Sequence, residues 1–276
     1  MSDVHVDLDL AISARPLRVV QLSDMHLGAE CGSQLAGMDT DASLTCVLEL
    51  VRAAPQRPDL LLATGDLASN GAPQAYVRVR EALDGLGIPW FWLPGNHDDV
   101  VRMCELVGHG RPMVRSIRAA AWRILMLDST VPGAVGGRLG ETELACLERL
   151  LEEDTRRPTL VCLHHQPVPV GCAWLDEQRL ADADALFALL AGHAEVRALL
   201  WGHVHQEFAA RRNGLLLLSS PSSCIQFAPG SEGFRLDDCP PGLRWLELHA
   251  DGRIETRVER VQGACIGFDR DSAGYL

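Results

Sequence analysis

The chain has 276 residues and carries 25 Lys and Arg against 37 Asp and Glu, a formal net charge of −12. That acidic balance argues against a DNA or RNA partner, which calls for a basic footprint. Its nine cysteines, scattered from Cys31 to Cys265 with no Cys-x-x-Cys, are neither a disulfide framework nor a zinc–thiolate site.

In chain order, Val19, Val20 and Leu22 form the first strand-like run, which ends at Asp24-Met25-His26. Residues 42–54 place Leu44, Val47, Leu48 and Val51 at helical spacing and stop at Pro55. Leu60, Leu61 and Leu62 lead into Gly65-Asp66. A second helix follows over 74–86, through Tyr76, Val77, Val79 and Leu83, and breaks at Gly87 and Pro89. Trp90, Phe91, Trp92 and Leu93 lead into Gly95-Asn96-His97-Asp98. Residues 124–127 read as an extra strand, and 141–153 as a helix with Leu144, Leu147, Leu150 and Leu151 on one face. Leu160, Val161, Cys162 and Leu163 precede His164-His165, and Cys162 reads as core. A last helix covers 184–191, before Leu199, Leu200 and Trp201 lead into Gly202-His203-Val204-His205.

This alternation predicts crossover units and a largely parallel sheet. After His205 the character changes. Residues 215–218, 244–248 and 254–261 read as strands joined by turns at Asn213-Gly214 and Asp251-Gly252. They predict a second, more antiparallel sheet packed on the first. The clusters run from Asp24 to His205, so a common site draws on most of the chain, and one α/β domain over 1–276 is expected. The N-terminus has no basic or apolar leader pattern, and no apolar run is long enough to span a bilayer. The expectation is a reduced, cytoplasmic, soluble protein with no membrane partner; Arg211-Arg212 reads as solvated surface.

The five clusters share a chemistry. Each follows an apolar run, so each side-chain group sits just past a strand end, where α/β sheets gather their sites. Carboxylates, imidazoles and an amide oxygen, with no thiolate, suit a pair of hydrolytic divalent metals. Residues two apart on an extended chain stand about 7 Å from each other, so the Asp24-x-His26 loop must curl for both to reach one ion; His203-x-His205 supplies two imidazoles from one loop, with Gly202 freeing the turn before them. Asp66 has two carboxylate oxygens and can bridge. Each cluster alone is weak; five in this order are not.

The pattern Asp-x-His, Gly-Asp, Gly-Asn-His-Asp, His and Gly-His-x-His resembles that of the calcineurin-like metallophosphoesterases. Further stretches resemble their bacterial class III 3′,5′-cyclic-AMP phosphodiesterases: Gly-Asp-Leu-Ala at 65–68, Leu-Asp-Ser at 127–129, His-His-Gln-Pro-Val-Pro at 164–169, Gly-Cys-Ala-Trp-Leu-Asp at 171–176, Pro-Ser-Ser-Cys-Ile-Gln-Phe at 221–227 and Leu-Glu-Leu-His-Ala-Asp-Gly at 246–252. The likeness spans about residues 18 to 260.

The resemblance implies two mixed β-sheets packed face to face and flanked by helices. It implies two divalent ions, iron or manganese, one held by Asp24, His26, Asp66 and His205 and the other by Asp66, Asn96, His164 and His203. His165, next to the ligand His164, then either supports the ligands from behind or is structural. His97 is the catalytic residue, and His26, Asp66, Asn96, His97 and His205 also meet the substrate. The implied reaction is hydrolysis of a small cyclic nucleotide, 3′,5′-cyclic AMP, to 5′-AMP by in-line attack of a metal-bridging hydroxide. Rivals are a glycerophosphodiester or 2′,3′-cyclic nucleotide hydrolase and, in a different class, a non-catalytic nucleotide sensor. Ser69 and Asn70 depart from the protein-phosphatase branch, which has Asp and Arg there. Trp174 is either a purine-stacking ring or a hydrophobic plug, with the plug favoured. Asp128 and Ser129 read as turn-forming.

Overall fold

The computed structural model describes residues 5–10, 15–106, 114–262, 267–270 and 272. Two sheets dominate it. In the five-stranded sheet, β2 (Leu17–Leu22), β5 (Leu60–Thr64) and β6 (Trp90–Leu93) run parallel. β15 (Gly242–Leu248) pairs antiparallel with the free edge of β2, and β16 (Ile254–Arg260) with β15. The seven-stranded sheet has the order β1 (His5–Leu8), β7 (Ser116–Ala119), β8 (Trp122–Met126), β9 (Thr159–Cys162), β10 (Val196–Trp201), β12 (Leu215–Ser219) and β11 (Phe208–Arg212). Its centre, β8 to β12, is parallel, and β11 is an antiparallel edge. Two short ribbons, β3 (Gln34–Leu35) with β4 (Met38–Asp39) and β13 (Gln226–Phe227) with β14 (Leu236–Asp237), lie outside the sheets.

Alternation along the strands sorts the layers. Val19, Leu60, Leu62, Leu160, Cys162, Ala198 and Leu200 point into one core between the sheets. Their neighbours Val20, Leu61 and Ala63 point the other way, onto α1 (Thr40–Ala53) and α2 (Pro73–Asp84). Val161, Leu163, Leu199 and Trp201 point onto α4 (Gly140–Glu153) and α6 (Ala183–Leu190). The order is therefore helix, sheet, sheet, helix, as the resemblance implied. Fully burying a residue such as Leu62 stabilises by about 1.5–3 kcal/mol. Asp39 caps α1 by accepting from Ala42 N at 2.9 Å, and Pro55 blocks its continuation.

One expectation is corrected. The strands after His205 do not make a sheet of their own. β11 and β12 extend the seven-stranded sheet, while β15 and β16 extend the five-stranded one. A period of two marks a strand and its faces but not its partner, and here the free edges of β10 and β2 were the partners. The parallel strands are likewise divided between the sheets. Strands β7 and β11 and the helices α3 (Val100–Leu106) and α5 (Ala173–Asp176) went unanticipated. The eight described cysteines are free, with Cys162 in the inter-sheet core; Cys265 lies outside the described residues, as do residues 1–4. Among the described residues no helix is long and apolar enough to cross a membrane. Arg211 and Arg212 lie exposed on the edge strand β11, Arg212 over the Phe187 ring at 3.9 Å.

Candidate metal centre

The five clusters leave the carboxyl ends of β2, β5, β6, β9 and β10. Past β2 and β5 the backbones stay zipped: Asp24 N donates to Gly65 O at 3.0 Å, His26 N to Asp66 O at 2.9 Å and Leu27 N to Leu67 O at 3.1 Å. Yet the chain curls, as expected for Asp24-x-His26. Asp24 (φ 56°), His26 (49°), Asp66 (52°), His203 (64°) and His205 (48°) all occupy the left-handed region. Each such non-glycine residue costs about 1–3 kcal/mol and persists only where its surroundings over-determine it. Gly65 (φ 95°) makes the turn before Asp66, and a Cβ there would strike the His164 ring. A Cβ on Gly202 would strike Ser23 Oγ and the Asp24 carboxylate.

The curled loops gather two donor groups. In one, His205 Nε2 lies 3.4 Å from Asp24 Oδ1 and 3.1 Å from His26 Nε2, and His26 Nε2 is 3.7 Å from Asp66 Oδ2. In the other, His164 Nε2 lies 3.3 Å from Asp66 Oδ2 and 3.2 Å from Asn96 Oδ1, with the His203 ring centroid 5.2 Å from that of His164. His203 Nε2 is buried with no hydrogen-bond partner among the described residues. The Nδ1 atoms of His164 and His205 face backbone oxygens, Thr64 O and Ile225 O, each at 2.8 Å. Donating there leaves both Nε2 atoms as bare acceptors among oxygens. Acceptors crowded so closely need a cation between them, and an orphaned imidazole nitrogen beside them fits a metal.

The electrostatics agree. Burial by itself lowers the pKa of His164, but the facing Asp66 carboxylate overrides burial and raises it to about 9, so a proton serves as the cation when no metal does. Burial lowers His26 to about 3 and drives His203 well below its ordinary value. Burial opposes ionisation of Asp66, yet the neighbouring His164, His97 and His26 hold its carboxyl well below the usual range. Asp24 is lowered by His205 in the same way, against its burial.

The remaining residues take other places. His97 is half-buried; its N–H donates to Asp66 Oδ1 at 2.9 Å, and its Nδ1 lies 3.0 Å from Ser69 O. His165 sits close by, but Ser129 Oγ (2.8 Å from Nδ1) and Val135 O (3.0 Å from Nε2) occupy both its nitrogens, a structural role. Asp128 Oδ1 accepts from Thr130 N and Oγ1, which makes the turn expected there. Trp174 is half-buried against Phe227 and Phe234, as a plug would be.

Three contributors escaped the sequence reading. Asp98 is half-buried and accepts from Leu67 N, Ala68 N and Gly95 N, tying the β5 loop to the β6 loop; desolvation of its carboxylate and the nearby Asp66 raise it to about 6. Its place in Gly-Asn-His-Asp was the available signal. Ser69 Oγ donates to His26 O at 2.7 Å, and Ser222 Oγ to Asp24 O at 2.7 Å. A hydroxyl aimed at a carbonyl far along the chain leaves no trace in spacing.

Residues 17–207 match the calcineurin-like phosphoesterase family. The chain is 46% identical to "3′,5′-cyclic adenosine monophosphate phosphodiesterase CpdA" of Pseudomonas aeruginosa, over 93% of this chain and 94% of that one. It is 42% identical to the protein of the same description from Escherichia coli K12, over 97% and 98%. Among solved structures, a dimetal phosphatase from Danio rerio superposes with a TM-score of 0.58 at 16% identity, covering 90% of this chain and 100% of that one, a likeness of fold. With the family matched across most of its length and the two donor groups at its strand ends, the chain belongs to the calcineurin-like phosphoesterase family.

Proposed function

We propose that this protein hydrolyses 3′,5′-cyclic AMP to 5′-AMP at a dinuclear metal centre. One observation carries the reading: Asp66 Oδ2 faces His26 Nε2 at 3.7 Å on one side and His164 Nε2 at 3.3 Å on the other, a carboxylate shared by two donor groups. Asp24, His26, Asp66 and His205 would hold one divalent ion; Asp66, Asn96, His164 and His203 would hold the other. Iron and manganese suit such oxygen and imidazole donors. When bound, the ions supply Lewis-acid charge to the phosphodiester.

The chain's own residues do the rest. The two aspartates offset about half of the roughly +4 brought by two dications, leaving a surplus that suits a monoanionic diester. His97, whose Nδ1 faces Ser69 O, would as the doubly protonated imidazolium donate its Nε2 proton to the leaving ribose oxygen. His26, Asp66, Asn96, His97 and His205 would line the phosphate position. The near-full-length identity to relatives described as cyclic-AMP phosphodiesterases supports the substrate. The charge of −12 supports a small-molecule substrate over nucleic acid. We read residues 1–276 as one domain working in the cytoplasm.

The test is turnover. Manganese-loaded protein should release 5′-AMP from 3′,5′-cyclic AMP, and a strong chelator should abolish this. Far faster cleavage of glycerophosphodiesters or 2′,3′-cyclic nucleotides would replace the substrate and leave the metal chemistry. Tight binding of the nucleotide with no turnover would make the protein a sensor.

A further inference from the structure

An aromatic ring stands behind His205, and the donor geometry alone does not call for it. Phe227, in β13 and 1% exposed, stacks on the His205 imidazole with ring centroids 4.1 Å apart and planes 13° apart. Phe227 is itself clamped edge-on. Trp174 lies 4.9 Å from it at 73°, Phe234 lies 5.6 Å from it at 66°, and these two rings meet each other at 5.6 Å. The segment carrying Phe227 is pinned as well. It pairs with β14, and Gln226 Nε2 donates to Ser222 O and Cys224 O at 2.8 and 2.9 Å. The same segment supplies Ile225 O, which accepts from His205 Nδ1 at 2.8 Å.

These two contacts restrain different motions. The hydrogen bond fixes where Nδ1 points but leaves the ring able to rock about the Nδ1···O axis. A flat ring stacked on one face stops the rocking. The restraint matters because His205 sits on a left-handed backbone (φ 48°), a conformation its loop would leave if released.

We infer that Phe227 is a positioning residue for His205: a plate, clamped by Trp174 and Phe234, that aims Nε2 at the Asp24–His26–Asp66 group. The inference rests on the reading of His205 as a metal ligand. The plain alternative is that Phe227 only fills the core.

Matched substitutions separate the two. Phe227→Leu keeps an apolar filler and removes the plate. Phe91→Leu makes the same change at another buried phenylalanine, 1% exposed in the inter-sheet core away from these rings. His205→Ala removes the ligand. Full-length proteins, confirmed folded by circular dichroism, are loaded with Mn²⁺, and each ion's release into a chelator is followed with elemental analysis. Phe227→Leu should loosen one of the two ions about 10-fold or more, the usual scale for a group that orients a ligand. Phe227→Tyr should restore retention, and Phe91→Leu should match the parent. In Phe227→Leu, saturating Mn²⁺ should recover kcat. The inference is overturned if Phe227→Leu keeps both ions like the parent, or loosens both equally. If His205→Ala keeps both ions at parental affinity, the metal reading itself fails; if it sheds one and Phe227→Leu sheds none, only the plate fails. Should Phe227→Leu not fold, Trp174→Leu at the half-buried end of the clamp decides: a smaller loosening of the same ion supports the plate, and none overturns it.

Discussion

The two sheets deliver their shares of the site differently. The five-stranded sheet brings Asp24, His26, Asp66, Asn96 and His97 on loops that bond to one another. Asp24, His26 and Leu27 are zipped to the β5 loop by backbone hydrogen bonds, and the half-buried Asp98 ties that loop to the β6 loop. The seven-stranded sheet brings His164, His203 and His205, and these dock onto that frame one contact at a time. His164 Nδ1 faces Thr64 O and His203 N donates to the Asp24 carboxylate at 3.0 Å, while His205 Nδ1 is held by Ile225 O, in the segment before β13. The carboxylate side is thus a frame whose shape resides in its backbone, and the imidazole side is fitted to it by side chains. Truncation on the frame should remove charge and keep shape. The docked side should respond to whatever its imidazoles hold, proton or metal.

The sharpest break of this comparison is Asp66→Ala. It deletes the one frame carboxylate facing both donor groups while leaving the zipped backbone intact. Both ions should be lost and turnover should fall by about 10³-fold or more, the several kcal/mol a metal's charge supplies. Asp24→Ala should mainly cost one ion. Elemental analysis that finds two full metals in folded Asp66→Ala would remove the bridge.

His97 belongs to the frame but is not assigned to a metal. Turnover in His97→Ala should drop about 10²–10⁴-fold, the range for a lost proton-transfer group. Metal content and melting temperature should hold. A variant that sheds an ion in step with its activity would make His97 a ligand.

The smallest effect concerns protons on the docked side. In the ion-free protein Asp66 raises His164 to about 9, above its ordinary value of 6.5, despite burial. Its contribution to ion-free stability is therefore fully present below about 6.5 and is lost as pH rises through about 9. His26, lowered by burial to about 3, holds no proton near neutrality. Loading Mn²⁺ at pH 7.5 should then displace about one proton, from His164, and metal affinity should climb with pH until about 9. Calorimetry in two buffers of different ionisation enthalpy reads this release. Release that stays the same from pH 7.5 to above pH 10 would show that His164 is not its source.

Much of this was legible in the residues. Leu44, Val47, Leu48 and Val51 are buried along α1, and Pro55 stops the chain after it, because a 3.6-residue period and a missing N–H act locally. The candidate donors were legible because few side chains offer a hard divalent ion a ligand, and strand ends are where a sheet exposes them. Even the curl of Asp-x-His was readable, since residues two apart on an extended chain stand about 7 Å from each other.

Partnership was not legible. Nothing in the residues of 208–219 and 242–260 marks their partners, yet one pair of strands completes the sheet of β10 and the other the sheet of β2. Nor did spacing reveal that Ser69 and Ser222 reach carbonyls of the β2 loop, or that Phe227 stacks on His205. Periodicity, turn chemistry and donor type were readable in the chain, because they depend on neighbours along it. Which edge each strand joined, which side chains face Asp66 and which ring backs His205 came only with the fold. Those outcomes turn on which buried surfaces and unpaired backbone groups meet across the fold, a competition that no local stretch of chain encodes.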